Sequence, residues 1–370
     1  MNFSNNRLYK KIKIFWAKPF LFGNEQNVAK KAIHSTWISG GPYINKFEDV
    51  IKKKFNTKFA FAVSNGTAAL HAAFLAANLK PNDVILIPAY GYMAAANIAK
   101  LMHLKIEFVD VCKKTFCITL DNIKKNFNNK IKAIVLINTY GNCVEITEIN
   151  KFANKKGIIV IEDAAESFGS KIDNKYSGTQ STIGTFSFHA TKNITTGEGG
   201  MIITSNKIIA DKIKLYRNHG VFMQNYKHLL HGHNFRMTNI QAAIGYEQFK
   251  FFNTIMKRRK KIFNLYLKYL DLKDIKLQHI NDNVDFIPWT IALNMENKKI
   301  DIKNLIKKML FKGIETRNGF YSADRLKIFN SKKFDNSNIL SNNIICLPFH
   351  LHLDQKKIKY ICENFNYIVS

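Results

Sequence analysis

The chain reads as an α/β protein with a parallel or mixed sheet, and three observations predict that class. Short apolar runs at Ala60 to Val63, Val84 to Ile87, Ile106 to Val109, Ala133 to Ile137, Ile158 to Ile161 and Met201 to Thr204 alternate with helical stretches. The run Ile158 to Ile161 is apolar throughout instead of alternating, as strands covered by helices on both faces are. From Phe59 to Ala77 a short strand, an Asn-Gly turn and an alanine-rich helix follow one another directly.

Each element carries a candidate role. The helix after Asn65-Gly66 is expected to start at that turn. Its first N–H groups have no partner within the helix, so Gly66, Thr67 and Ala68 are positioned to cradle a phosphate, with glycine allowing close approach. The alternative is a plain strand-turn-helix capped by Ser64 or Thr67. The segment is not a Walker motif, since the Gly-Lys-Ser/Thr ending is absent.

The strand at Ile158 ends in Glu162-Asp163, followed by Ala-Ala-Glu166-Ser-Phe-Gly169. Acids at the carboxyl end of a parallel strand face the crevice where such sheets bind ligands. Asp163 therefore suits an ion pair with a ligand's ring nitrogen, or else serves as a helix N-cap.

The segment Ser187-Phe-His-Ala-Thr-Lys192-Asn-Ile-Thr-Thr-Gly197-Glu-Gly199-Gly200 sets one lysine between a serine and a glycine cluster. A carbonyl cofactor such as pyridoxal phosphate needs an amine for a Schiff base, donors for its phosphate, and backbone that lets the ring approach. Lys192, Ser187 and the glycines supply these parts. Against this stands the bland alternative of a surface charge in a chain with 56 Lys plus Arg.

Taken together these stretches resemble the DegT/DnrJ/EryC1/StrS sugar aminotransferases. The resemblance runs from Trp37-Ile-Ser-Gly-Gly-Pro-Tyr through Ser64-Asn-Gly-Thr-Ala-Ala-Leu, Pro88-Ala-Tyr-Gly-Tyr-Met-Ala, Asp163-Ala-Ala-Glu-Ser-Phe-Gly and the lysine segment. It continues through Gly232-His-Asn234-Phe-Arg236-Met-Thr-Asn-Ile-Gln241 and Gly313-Ile-Glu-Thr-Arg317 to Leu347-Pro-Phe-His.

The resemblance implies the fold type I of pyridoxal phosphate enzymes, with a mostly parallel seven-stranded sheet flanked by helices and a smaller α+β C-terminal domain. It implies that Lys192 binds pyridoxal 5'-phosphate as a Schiff base and shuttles the transferred proton, and that Asp163 pairs with the pyridine nitrogen. Gly66, Thr67 and Ser187 look like phosphate ligands. Tyr92 falls where the family stacks an aromatic ring on the cofactor, and Glu166 falls near its phenolic oxygen. Asn234 resembles the residue that crosses a homodimer interface to the neighbouring phosphate. Tyr92, Arg236, Arg317 and Tyr321 are the candidate substrate contacts. The implied reaction is ping-pong transfer of an amino group from an amino acid, glutamate by resemblance, to a nucleotide-linked keto-deoxysugar for a surface polysaccharide or related glycan.

Some positions depart from the family's pattern. Tyr90-Gly91-Tyr92 offers two tyrosines for the stacking place, and register from Pro88 favours Tyr92. After Arg317 the chain has Asn318-Gly319 where relatives continue with proline, so the loops Met223 to His233 and Asn318 to Ala323 are expected to set the substrate. Members that remove a hydroxyl carry histidine at the lysine position; Lys192 speaks against dehydration, although His189 is near and is expected to flank the cofactor or pack. The remaining alternatives are another reaction of the same cofactor, or a regulatory or nucleic-acid-binding protein that keeps the fold.

Composition agrees with an enzyme. A chain of 370 residues with 46% hydrophobic and 22% charged residues can bury a large core and is expected to form two domains. We expect residues 24–250 to bind the cofactor and residues 251–370 to form the small domain, with an arm of residues 1–23 packed on it. The net charge of +29 is spread along helices, as at Lys52 to Lys54, Lys257 to Lys261 and Lys307-Lys308, and no nucleic-acid motif accompanies it. Its expected effect is attraction of an anionic substrate. Five cysteines without paired spacing point to reduced thiols and a cytoplasmic location. Neither His231-Gly-His233 nor His350-Leu-His352 has an obvious third ligand, so no metal is expected. Met1 to Phe22 is too short and interrupted for a membrane span or signal peptide.

Overall fold

Glycine and asparagine turns cut the first half of the chain into units short enough to alternate strand and helix. The computed structural model describes residues 12–221 and 226–370. Helices α1 (Glu25–His34) and α2 (Pro42–Phe55) precede β1 (Phe59–Val63), α3 (Gly66–Ala76), β2 (Val84–Pro88), α4 (Ala94–Leu101), β3 (Lys105–Val109), α5 (Leu120–Lys125), β4 (Ile131–Ile137), α6 (Ile146–Lys156) and β5 (Ile159–Asp163). A ribbon of β6 (Lys171–Ile172) and β7 (Lys175–Tyr176) leads to β8 (Ile183–Ser187), β9 (Gly200–Thr204) and α7 (Lys207–Tyr216). There follow α8 (Asn239–Lys250), α9 (Phe252–Tyr269), β10 (Lys276–Leu277), β11 (Val284–Asp285), β12 (Ile291–Asn294), α10 (Ile302–Phe311), β13 (Arg317–Asn318), α11 (Asp335–Asn343), β14 (Ile344–Leu347) and α12 (Gln355–Val369).

The main sheet has seven strands in the order β1-β9-β8-β5-β4-β2-β3. Strands β3, β2, β4, β5 and β8 are parallel neighbours, while β9 runs against both β8 and β1. All six expected strand runs are strands of this sheet. The seventh, β8, has the sequence Ile-Gly-Thr-Phe-Ser, whose two apolar residues are too few to read as a buried strand.

Alternation along each strand divides the core between the two faces. Ile85, Ile87, Val135 and Ile161 pack with α3, α4 and α7, whereas Leu86, Ile134, Leu136 and Val160 pack with residues of α5 and α6. Each such buried side chain contributes roughly 1.5–3 kcal/mol, which is why nearly continuous apolar strands are required here.

A second sheet, β10-β12-β14-β13, lies in the C-terminal part. Helices α9 and α12 pack on each other, and Ile255, Tyr266 and Phe365 share a buried cluster with Phe47, Phe168 and Phe186. The division we propose at residue 250 falls at Phe251, the residue between α8 and α9. Of the N-terminal arm, residues 1–11 lie outside the described residues. Its described part bridges Ile14 to Ile314, and His350 and His352 bind the carbonyls of Phe15 and Pro19.

Candidate active site

Register brings the candidate residues to one edge. Val63 pairs with Gly200 and Gly200 with Ser187, while Ile137 pairs with Asp163 and Asp163 with Thr185. The carboxyl ends of β1, β4, β5 and β8 therefore stand side by side, at the edge where α/β sheets bind ligands. A cleft of about 950 Å³ opens there.

One end of the cleft has the parts of an anion cradle. Helix α3 begins at Gly66, and the cap is Asn65, whose side chain accepts the Ala68 N–H at 2.8 Å. Neither Ser64 nor Thr67 takes that part, because Asn65 is the extended residue immediately before the helix. The N–H groups of Gly66 and Thr67 stay without intrahelical acceptors at the positive end of the helix dipole. A Cβ on Gly66 would sit 2.9 Å from Ser187 Cβ, and one on Gly200 would collide with the Asn65 carbonyl. Glycine at both positions lets the Ser187 hydroxyl and the helix end come together, as an anion site requires.

The other end holds charge. Asp163 is buried at the end of β5, and no helix follows it; its carboxylate accepts the Ala165 N–H at 3.2 Å. Glu162, its neighbour in the strand, points away to Asn138 at 2.7 Å. Lys192 lies in the loop between β8 and β9, its Nζ 3.6 Å from Glu166 Oε1 and 4.1 Å from the centre of the Trp289 ring. Glu166 Oε2 accepts the Tyr140 N–H at 2.8 Å. Burial raises the Asp163 carboxyl, with the Ala165 N–H and Lys192 opposing. Burial likewise pushes Glu166 up to about 7, against the pull of Lys192 and the Tyr140 N–H.

These residues fit pyridoxal phosphate. Lys192 pairs with Glu166, which leaves the buried Asp163 carboxyl with no ion pair among the described residues and suits it to a protonated ring nitrogen, while the helix end and Ser187 suit a phosphate. Tyr92, 63% exposed, borders the cleft between these ends, whereas Tyr90 is fully buried with its hydroxyl 2.8 Å from that of Tyr140.

The profile of the DegT/DnrJ/EryC1/StrS aminotransferase family matches residues 21–366. The chain belongs to that family. Among its relatives, the GDP-perosamine synthase of Escherichia coli O157:H7 is 33% identical over 95% of this chain and 98% of its own. That of Vibrio cholerae is 30% identical over 94% and 96%. Two solved structures share the fold. Helicobacter pylori PseC, an aminotransferase of pseudoaminic acid biosynthesis, superposes with a TM-score of 0.89 at 22% identity, covering 95% of this chain and 98% of its own. The E. coli GDP-4-keto-6-deoxy-D-mannose-3-dehydratase with bound hydrated pyridoxal phosphate does so with 0.88 at 26%, covering 96% and 99%.

The protein is thus a pyridoxal phosphate-dependent aminotransferase. Gly66, Thr67, Tyr92, Asp163, Glu166, Ser187, Lys192, Asn234 and Arg317 all border the aminotransferase cleft. Asn234 arrives because Ser64 N–H bonds the Phe235 carbonyl and Val63 bridges Arg236. Arg236 itself is exposed, donates to Asn218 Oδ1 at 2.7 Å, and does not border the cleft. Tyr321 also stays outside it, 45% exposed beneath the Arg325 guanidinium. His189 flanks the cleft, bonded through Nδ1 to the Thr191 hydroxyl at 3.0 Å. Residues 223–225 of the expected substrate loop lie outside the described residues. Among the described residues no group of three or more His, Cys, Asp or Glu gathers as for a metal, and no helix is long and apolar enough to cross a membrane.

Four aromatic residues escaped sequence reasoning. Trp16, Tyr140, Trp289 and Phe320 border the cleft from four distant segments. The ring planes of Tyr140, Trp289 and Phe320 lie within 9° of one another. Tyr140 adopts a left-handed φ of 59°, a costly conformation that aims its N–H at Glu166. The only sequence signal for these residues is their aromatic character, which the core also demands.

Proposed function

We propose that the enzyme moves an amino group from L-glutamate to the keto carbon of a nucleotide-linked keto-deoxysugar, for a surface polysaccharide or related glycan. The observation that carries this reading is the meeting of Lys192, Asp163 and the α3 N-terminus in one cleft of an aminotransferase. When bound, pyridoxal phosphate supplies the carbonyl that accepts the donor's nitrogen and a cationic ring that draws off electrons at the reacting carbon.

In this reading the residues divide the work. Lys192 Nζ holds the cofactor covalently and then carries a proton between the two reacting carbons. The Asp163 carboxylate keeps the ring nitrogen protonated. Ser187 and the N–H groups of Gly66 and Thr67 bind the phosphate, Tyr92 stacks on the ring, and Glu166 orients Lys192. Arg317, whose side chain is 56% exposed, faces the anionic substrate. We place Asn234 of each protomer against the site of its partner in a homodimer. Its exposure at the cleft border supports that reading. Five free cysteines suit a reducing cytoplasm.

The relatives named GDP-perosamine synthase make a GDP-linked sugar the one to try, and the GDP-4-keto-6-deoxy-D-mannose named for the solved dehydratase is a keto acceptor of that kind. The enzyme, pyridoxal phosphate, ¹⁵N-glutamate and that acceptor should yield an aminosugar nucleotide carrying ¹⁵N. The likeness to the solved dehydratase gives a second reading, in which the sugar loses a hydroxyl and the nitrogen does not stay. Mass analysis of the product decides: a deoxysugar that carries no ¹⁵N supports dehydration, and unreacted acceptor with one equivalent of 2-oxoglutarate released per site points to another keto acceptor.

A further inference from the structure

We propose that Trp16 is a specificity-determining residue, its indole N–H donating to a hydroxyl or ring oxygen of the acceptor's hexose; this rests on the sugar-nucleotide reading above. Trp16 borders the cleft and is 8% exposed, yet its Nε1 has no acceptor among the described residues. Its neighbour Trp289, packed edge to face at 5.6 Å, has no such deficit, because its Nε1 donates to the Thr191 carbonyl at 2.9 Å. Buried donors in native proteins are nearly always paired, so one left over on a residue that borders a binding cleft calls for a partner.

The ring is held for that task. The Trp16 backbone N–H donates to Glu315 Oε2 at 2.9 Å, and its carbonyl accepts the Phe349 N–H at 2.8 Å. Glu315 Oε1 accepts from Arg317 at 3.1 Å, and the Arg317 guanidinium lies 4.8 Å over the Trp16 ring. One carboxylate thus holds the Trp16 backbone and the cation beside its ring.

The chemistry around Trp16 selects the ligand. The half-buried ring of Phe320, near-parallel to the buried rings of Tyr140 and Trp289, gives the cleft border an apolar face. Arg317 adds a cation for phosphate. A hexose on a nucleoside diphosphate offers C–H faces for the rings, oxygens for the indole N–H, and charge for the guanidinium. A nucleobase would also stack, and the experiment separates the two.

Trp16→Phe keeps the ring and removes the donor. With the cofactor-loaded enzyme, the KM for GDP-4-keto-6-deoxy-D-mannose should rise roughly three- to tenfold, as one uncharged hydrogen bond is lost. The KM for glutamate in the first half-reaction should rise less than that for the sugar nucleotide, which separates a lost sugar contact from a general disturbance of the cleft. In the wild-type enzyme, the indole ¹⁵N–H signal of Trp16 should shift on adding the sugar nucleotide and stay in place with GDP alone. That signal is assigned by elimination among three tryptophans with Trp37→Phe and Trp289→Phe, so the test does not depend on Trp16→Phe folding. An unchanged KM, or a signal that moves equally with GDP, overturns the assignment. If nitrogen leaves glutamate but never reaches this sugar in the wild type, the substrate reading fails and Trp16 loses its role with it.

Discussion

Lys192 Nζ lies 3.6 Å from Glu166 Oε1, with the two side chains only 13% and 5% exposed. Burial nonetheless holds Glu166 at about 7, above its ordinary value of 4.5. Between those two values the folded protein binds more protons than the unfolded chain, so stability falls as pH rises through that window. The cofactor-free protein should lose on the order of 3 kcal/mol from this group between about pH 4.5 and 7. Denaturant titrations across that range should show a shallower slope for Glu166→Gln. Parallel slopes would mean that Glu166 stays ionised.

Tyr90 and Tyr92 should separate fold from cofactor. Tyr90 is fully buried and Tyr92 is 63% exposed at the cleft. Tyr90→Ala is expected to cost about 3–5 kcal/mol of stability, as large aromatic truncations do. Tyr92→Ala should leave stability within about 0.5 kcal/mol and weaken pyridoxal phosphate binding roughly fivefold, the loss of about 1 kcal/mol of stacking. Melting curves and a cofactor titration check both.

Gly66→Ala tests the anion cradle. The added Cβ would lie 2.9 Å from Ser187 Cβ, so the helix end and the serine must part. Cofactor affinity should fall by roughly tenfold, about 1.4 kcal/mol, and inorganic phosphate should compete less well in the variant. Equal phosphate competition in both proteins would place the anion elsewhere.

Asn234 yields a complementation test. If it serves the partner's site, Lys192→Ala and Asn234→Asp homodimers are each defective. Subunit exchange between them should then rebuild one intact site in every mixed dimer. Activity should appear on mixing and approach a quarter of the wild-type value, as random pairing of equal amounts requires. No recovery would place Asn234 in its own protomer's site.

The sequence revealed those parts of the site that are local in the chain. Gly66-Thr67 after β1, Asp163 at the end of β5 and Lys192 after Ser187 each carry a short-range signature, because a tight turn or a strand end dictates residue type. Strand β8 was invisible because Gly184 and Thr185 interrupt its apolar run; it is recognisable only once β5 and β9 flank it. Trp16, Tyr140, Trp289 and Phe320 meet only through tertiary packing, so periodicity cannot distinguish them from core aromatics. Arg236 lies in a stretch that resembles the family and Tyr321 in a loop that departs from it, and neither borders the cleft, since position in the chain does not fix where a side chain points.

The most direct measurement is the absorbance spectrum of the protein loaded with pyridoxal phosphate, before and after glutamate, beside Lys192→Ala. The wild type should show a visible Schiff-base band that glutamate bleaches toward the ultraviolet, and Lys192→Ala should lack that lysine-bound band before glutamate is added. A wild-type protein that remains featureless with pyridoxal phosphate, or a Lys192→Ala protein with the same glutamate-sensitive band, would contradict Lys192 as the residue that carries the chemistry.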